Sequence, residues 1–170
     1  MPLMKQVFQL DFLEKTQSNI EFIATDTLPQ NITLTAVIGM LIRGDTILLT
    51  KIPRGWDFPS GHIEENETPE QAMMREVMEE TGATLHSLAL LGYLELTKTT
   101  ENELNNRYPL LSAIPVYVSS DFTLPDIFDN KFEAEECKVI GQKDISKHHH
   151  RWTPMWNDIL EYAMNKSVNS

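Results

Sequence analysis

The sequence predicts an α+β fold, a mixed β-sheet sandwiched between helices in α/β/α layers. Three observations predict it. Two β-branched apolar runs flank a tight turn, a strongly punctuated helix follows, and a second amphipathic helix closes the chain after further strand-like runs. At 170 residues the chain is long enough to bury a core. We read residues 1–170 as one domain, with 1–30 as an N-terminal lead-in and 153–166 as a C-terminal helix.

The lead-in carries apolar stretches at 7–13 and 20–24 and ends in the turn signal Pro29-Gln30-Asn31, the pattern of a short hairpin. Residues 32–42 (ITLTAVIGMLI) are β-branched and apolar, as a strand requires. Arg43-Gly44-Asp45 reads as a turn, and 46–52 (TILLTKI) returns as a second strand. In the short run after Pro53-Arg54-Gly55, Trp56 and Phe58 are expected to pack in the core rather than stack on a ligand. Thr68-Pro69-Glu70-Gln71 then supplies an N-cap, a proline at the first helical position and a capping-box glutamine, and Gly82 supplies the stop. Residues 85–97 and 110–118 read as strands joined by a polar loop, 122–136 as acidic and irregular, and 138–141 as a last short strand. Thr153-Pro154 opens the final helix, whose Met155, Ile159, Leu160 and Ala163 share one face. His148-His149-His150 is placed in the loop before it, since consecutive residues cannot face one site on a regular element.

Composition narrows the function. With 25 acidic against 14 basic residues and a net charge of −11, the chain lacks the basic footprint of a nucleic-acid-polymer binder. A small anionic ligand stays compatible if divalent cations stand between the two sets of negative charge. No apolar run has membrane-spanning length, so no membrane partner is expected. The single cysteine, Cys137, cannot form an internal disulfide, which makes a cytoplasmic address the expectation and a small, buried, unreactive thiol the reading.

The chemistry concentrates in GHIEENETPEQAMMREVMEETGA, residues 61–83. On a helix of about 100° per residue, Met74, Val77, Met78 and Thr81 form a mainly apolar stripe, and Glu76, Glu79 and Glu80 gather opposite with Arg75 beside them. Like charges at these spacings cost a helix a few tenths of a kcal/mol per pair, roughly. Solvent would offset that on an ordinary surface. A hard cation such as Mg²⁺, which takes carboxylate oxygens, water and phosphates, would also offset it.

Gly61, Glu67, Arg75, Glu76, Glu79, Glu80 and Gly82 stand at the seven fixed spacings of the Nudix box, and the chain resembles the Nudix hydrolases. The resemblance implies the Nudix fold and hydrolysis of a nucleoside diphosphate linked to another moiety, by water attack at phosphorus with Mg²⁺ (Mn²⁺ as a substitute). On the matching positions it makes Glu79 and Glu80 metal ligands, Glu76 a ligand or organiser of the water network, and the Gly61 carbonyl a further ligand. It makes Arg75 the partner of a box carboxylate and Glu67 the anchor of the loop. A general base is expected outside the box: Glu135, Glu136 and Glu133 rank first by position, ahead of Glu101 and Glu103. Lys51, Arg54 and His62 are the candidate phosphate contacts. The family's subgroup signatures for ADP-ribose, dinucleoside polyphosphates, NADH and coenzyme A are missing, so the chain is most similar to the MutT-type members that cleave nucleoside triphosphates, including oxidised dGTP. A homodimer fits this family. The alternatives are a non-catalytic nucleotide-sensing module and, ranked lower for want of a reactive cysteine, a diphosphate isomerase.

Overall fold

A computed structural model describes residues 7–128 and 134–168. The chain opens with an antiparallel hairpin of β1 (Asp11–Leu13) and β2 (Ser18–Ala24). The apolar run that follows is split at Thr35 into β3 (Thr33–Leu34) and β4 (Ala36–Arg43), and β5 (Thr46–Ile52) returns after the turn. Two short strands, β6 (Gly55–Asp57) and β7 (Ser60–His62), lead to α1 (Pro69–Thr81). Then come β8 (Thr84–Leu85), β9 (Ala89–Lys98), β10 (Leu111–Ser119), β11 (Phe122–Thr123) and β12 (Glu136–Gly141). The short α2 (Ile145–His148) and the long α3 (Pro154–Val168) end the described chain.

The main sheet runs β1-β2-β9-β10-β4-β5-β12, with β3 beside β10, β6 beside β5 and β7 beside β4. Pairing of β10 with β4 and β3 is parallel and the other pairings are antiparallel, so the sheet is mixed as expected. Period-2 alternation in β4 divides the core between two faces. Val37 and Leu41 pack with Ala72, Met73 and Val77 of α1, whereas Met40 and Ile42 pack with Met155, Ile159, Leu160 and Ala163 of α3. Phe58 is 1% exposed in the α3 core and Trp56 packs against it, as the sequence reading held. The stretch at 122–136 is less irregular than expected: β11 pairs with β8 in a second small sheet, and β12 begins two residues early, at Glu136.

Helix α1 begins as its punctuation dictates. Gln71 N–H donates to the Thr68 hydroxyl at 3.2 Å, and Thr68 N–H donates back to the Gln71 side chain at 2.9 Å. Gly82 ends it at φ 70°, a left-handed backbone that favours glycine.

The face that α1 buries differs from the one expected. Met74 and Met78 are 49% and 42% exposed, while Met73, Glu76, Val77 and Glu80 are buried. The buried stripe keeps the i, i+3, i+4, i+7 spacing but starts one residue earlier. Two glutamates therefore ride on the inner face instead of pointing away from it.

Candidate active site

Arg75 is the hub of the box. Its Nε and Nη2 donate to the two oxygens of Glu67 at 2.8 and 3.0 Å, a bidentate grip that fixes the guanidinium plane. Nη1 donates to Glu76 Oε1 at 2.8 Å and to Glu79 Oε2 at 3.0 Å, and Nη2 also reaches the His62 carbonyl at 2.9 Å. Glu67, followed by Glu76 and Glu79, pushes the Arg75 pKa up against the opposing effect of burial, so the group is always charged. Arg75 in turn, helped by the Glu64 N–H that donates to Glu67 Oε2 at 3.0 Å, holds the Glu67 carboxyl below its ordinary value. The loop between β7 and α1 is thereby clamped to the helix, the geometry of a loop anchor.

Beneath the hub lie the two inward carboxylates. Glu80 is 8% exposed. It accepts only long hydrogen bonds, from Ser60 N–H at 3.3 Å and the Thr50 hydroxyl at 3.4 Å. Burial, with the Glu76 and Asp57 charges adding to it, pushes its pKa up to about 8. Glu76 is pressed against Gly61: a Cβ at that position would lie 1.9 Å from the Glu76 carboxyl carbon. No other residue fits there without expelling the carboxylate.

Among the described residues no three His, Cys, Asp or Glu side chains stand together in ligating geometry. The Arg75 guanidinium instead bridges Glu76 and Glu79. The donor set still suits a hard divalent cation. Glu76, Glu79 and Glu80 offer oxygens alone, and burial with the neighbouring carboxylates holds Glu80 toward its neutral form, which a divalent cation would reverse. Gly61 lies against Glu76 of this set.

Strand β7 separates this cluster from a cavity of about 460 Å³. Ser60 and Gly61 line the cavity while touching Glu80 and Glu76 on their other side. Its apolar wall includes Ile20, Ile38, Leu94 and Trp156, and its basic or titratable lining includes Arg54, His62, Lys98, His149, His150 and Arg151. Asp57 is the one acidic residue of the lining among the described residues. Two cations of the lining are already engaged, Arg151 with Asp11 at 2.8 Å and Lys98 with Glu101 at 3.1 Å.

Asp57 and its partners were not foreseen. His149 Nε2 lies 3.0 Å from Asp57 Oδ1 and His150 Nε2 lies 2.9 Å from Oδ2. Burial works to raise the Asp57 pKa, but His149 and then His150 outweigh it and hold the carboxyl below its ordinary value. His149 and His150 reach one group because they lie past the end of α2, off a regular element as expected, whereas His148 is the last residue of α2 rather than part of the loop. His150 N–H donates to the Trp56 carbonyl at 2.8 Å and the two rings lie 15° from parallel. A carboxylate meeting two imidazoles across 92 and 93 residues gives no local signal in the sequence.

The remaining candidates are placed as follows. Arg54 and His62 line the cavity. Lys51 lies outside the lining and sits 4.0 Å from Glu135, both side chains being well exposed. Glu136 opens β12 opposite Lys51, and Glu133 lies outside the described residues. Glu101 caps Lys98 Nζ at 3.1 Å, and Glu103 is exposed. Cys137 is half-buried, its Sγ 3.6 Å from the Glu80 carbonyl; burial, then the Glu80 and Glu136 charges, pushes its thiol up to about 12. That is an inert thiol.

A mixed sheet between helices, with the seven-position box wrapped on Arg75, defines a class. The NUDIX domain family model matches residues 33–154, and the chain belongs to that family. Over 113 residues it is 33% identical to the RNA pyrophosphohydrolase of Aliivibrio fischeri, covering 65% of this chain and 64% of that protein. Over 36 residues, 21% of this chain and 32% of the relative, it is 53% identical to the 8-oxo-dGTP diphosphatase of Proteus vulgaris. The matches thus span less than two thirds of each relative's length. The crystal structure of a Bacillus subtilis pyrophosphohydrolase matches with a TM-score of 0.68 at 23% identity, over 95% of this chain and 96% of that one, a likeness of fold.

Proposed function

We propose that the protein is a Mg²⁺-dependent pyrophosphohydrolase that cleaves a small nucleoside triphosphate, oxidised dGTP among them, by attack of water at phosphorus. The observation that carries this reading is the shared strand β7, whose Ser60 and Gly61 touch the box carboxylates Glu80 and Glu76 and also line the cavity of about 460 Å³. Glu76, Glu79, Glu80 and the Gly61 carbonyl would hold the cation, with Mn²⁺ as a substitute. When bound, it supplies neutralisation of phosphate charge and a more acidic water.

The chain's own residues do the rest. Glu67 fixes Arg75, and Arg75 fixes the rotamers of Glu76 and Glu79. Arg54 meets the phosphates from the cavity side, with Lys51 at the end of β5 as a further contact. The apolar wall excludes water from the nucleoside half of the ligand. Glu135 or Glu136 takes the proton from the attacking water, from the segment that β12 brings alongside Glu80.

Both relatives' names describe phosphoanhydride cleavage. The acidic surface favours a free nucleotide over an RNA end. The test is turnover with Mg²⁺ of a panel holding dGTP, 8-oxo-dGTP, a nucleotide sugar, a dinucleoside polyphosphate and 5′-triphosphorylated RNA, run in isotopically labelled water. Release of labelled product from a small triphosphate, abolished by Glu79→Gln, supports the proposal. Tight nucleotide binding without cleavage across the panel would replace it with the sensing module. Preference for the RNA end would overturn the substrate assignment.

A further inference from the structure

The loop between β9 and β10 carries an aromatic feature that the box chemistry does not use. Tyr108 and His62 both line the cavity, and their rings lie within 3° of parallel with centroids 6.2 Å apart. His62 Nε2 and the Tyr108 hydroxyl share a hydrogen bond of 2.8 Å. Each of those atoms lies in the plane of its own ring, so the two planes are separated by no more than that bond length. Face-to-face stacking is thereby excluded, and the rings sit nearly edge to edge as one extended flat surface. Arg107, absent from the cavity lining, lies over Tyr108 at 4.8 Å from its centroid and donates to its hydroxyl at 2.8 Å. Arg107 thus holds the phenol from outside the lining, and Tyr108 itself lines the cavity.

The loop that presents this surface is tied down from within. Asn105 is 1% exposed. Its amide donates to the Thr16 and Thr100 carbonyls at 2.7 and 2.8 Å and accepts from Asn102 N–H at 2.9 Å. Lys98 Nζ donates to the Tyr108 carbonyl at 2.8 Å, and Asn102 Nδ2 to the Lys15 carbonyl at 2.9 Å. Thr16 and Lys15 belong to the turn of the β1–β2 hairpin, outside the stretch that the family model matches. The hairpin thus fixes the loop, and the loop fixes the ring beside Gly61.

We propose that the coplanar His62–Tyr108 pair is the platform on which the nucleobase of the substrate stacks, with Asn105 as the residue that positions it. The inference rests on the nucleotide reading given above. A flat π-face beside the phosphate-handling strand, in a cavity within the usual range of about 300–1,000 Å³ for small ligands, fits an aromatic heterocycle attached to an anionic chain.

Stacking of a base on an aromatic side chain contributes a factor of roughly 5 to 150 in affinity. The test is steady-state kinetics on dGTP and on methyl triphosphate, which has the phosphate chain and no base, for wild type, Tyr108→Ala, Tyr108→Phe and Asn105→Ala. Tyr108→Ala should raise the KM for dGTP by that factor and cut the preference for dGTP over methyl triphosphate equally, whereas Tyr108→Phe retains most of the preference. Asn105→Ala should move KM in the same direction, and the double variant should do no worse than Tyr108→Ala. An unchanged KM in Tyr108→Ala, or equal losses on both substrates, overturns the platform. If wild type cleaves neither compound, the catalytic proposal fails instead. Calorimetric binding of dGMP then decides the platform, which stands if Tyr108→Ala weakens binding by that factor and falls if it does not.

Discussion

Glu80 offers a test of the site that reads stability as well as activity. Burial and the neighbouring Glu76 and Asp57 charges push its carboxyl up to about 8, against an ordinary value of 4.5 that the unfolded chain retains. The folded protein therefore holds this proton more tightly than the unfolded chain does. The stability that the neutral carboxyl contributes is fully present below about pH 4.5 and is lost progressively as the pH climbs to about 8. Glutamine at this position has a similar shape and never ionises. Between about pH 5.5 and about pH 8, Glu80→Gln should gain roughly 3 kcal/mol over wild type, or roughly 6–12 °C in Tm for a domain of this size. Calorimetric melts in EDTA across that range measure the gap. Adding Mg²⁺ near pH 8 should then raise the wild-type melt and leave the variant's nearly unmoved, since a ligand carboxylate must be deprotonated. Melting curves for the two proteins that keep a constant separation over the whole range would refute the reasoning.

Other perturbations address the remaining parts of the box. Gly61→Ala places a methyl group where the Glu76 carboxyl now sits and should weaken cation binding by about 10- to 100-fold, read by isothermal titration. Glu67→Gln removes one of the two charge-assisted bonds to Arg75 and should speed hydrogen exchange in residues 62–67 while leaving the sheet protected. Cys137, with its thiol pushed up to about 12 by burial and adjacent carboxylates, should resist iodoacetamide at about pH 8 in the native protein and react once it is unfolded.

What was legible in the sequence is what depends on near neighbours. The β-branched runs at β4 and β5, the capping box at Thr68, the stop at Gly82 and the apolar face of α3 are each written within a few residues, and each stands where expected. The seven box positions are likewise close in sequence, and Arg75 bonds three of them, Glu67, Glu76 and Glu79. The illegible parts rest on contacts between distant segments. Asp57 meets histidines 92 and 93 residues away, β8 finds β11, and the Asn105 amide reaches a carbonyl 89 residues earlier. None of these has a period or a propensity, and only the closed sheet brings the partners together.

The misplaced face of α1 has a different origin. Counting apolar residues selects Met74, Val77, Met78 and Thr81, and the rule that charged groups face water favours that choice. The fold keeps Val77 and Thr81 of that stripe and adds Met73, Glu76 and Glu80, leaving two methionines half in solvent and drawing two carboxylates inward. By hydrophobic burial alone this rotation of about one residue is unfavourable, and the raised Glu80 pKa is its electrostatic trace. Packing offsets part of the cost, because Ala72, Met73 and Val77 fill the space against Val37, Leu41 and Tyr117. In the protein alone a proton offsets the remainder at Glu80 and the Arg75 guanidinium offsets it at Glu76, and a divalent cation would take the place of the proton. A local rule broken where acids converge beside a cavity marks the site.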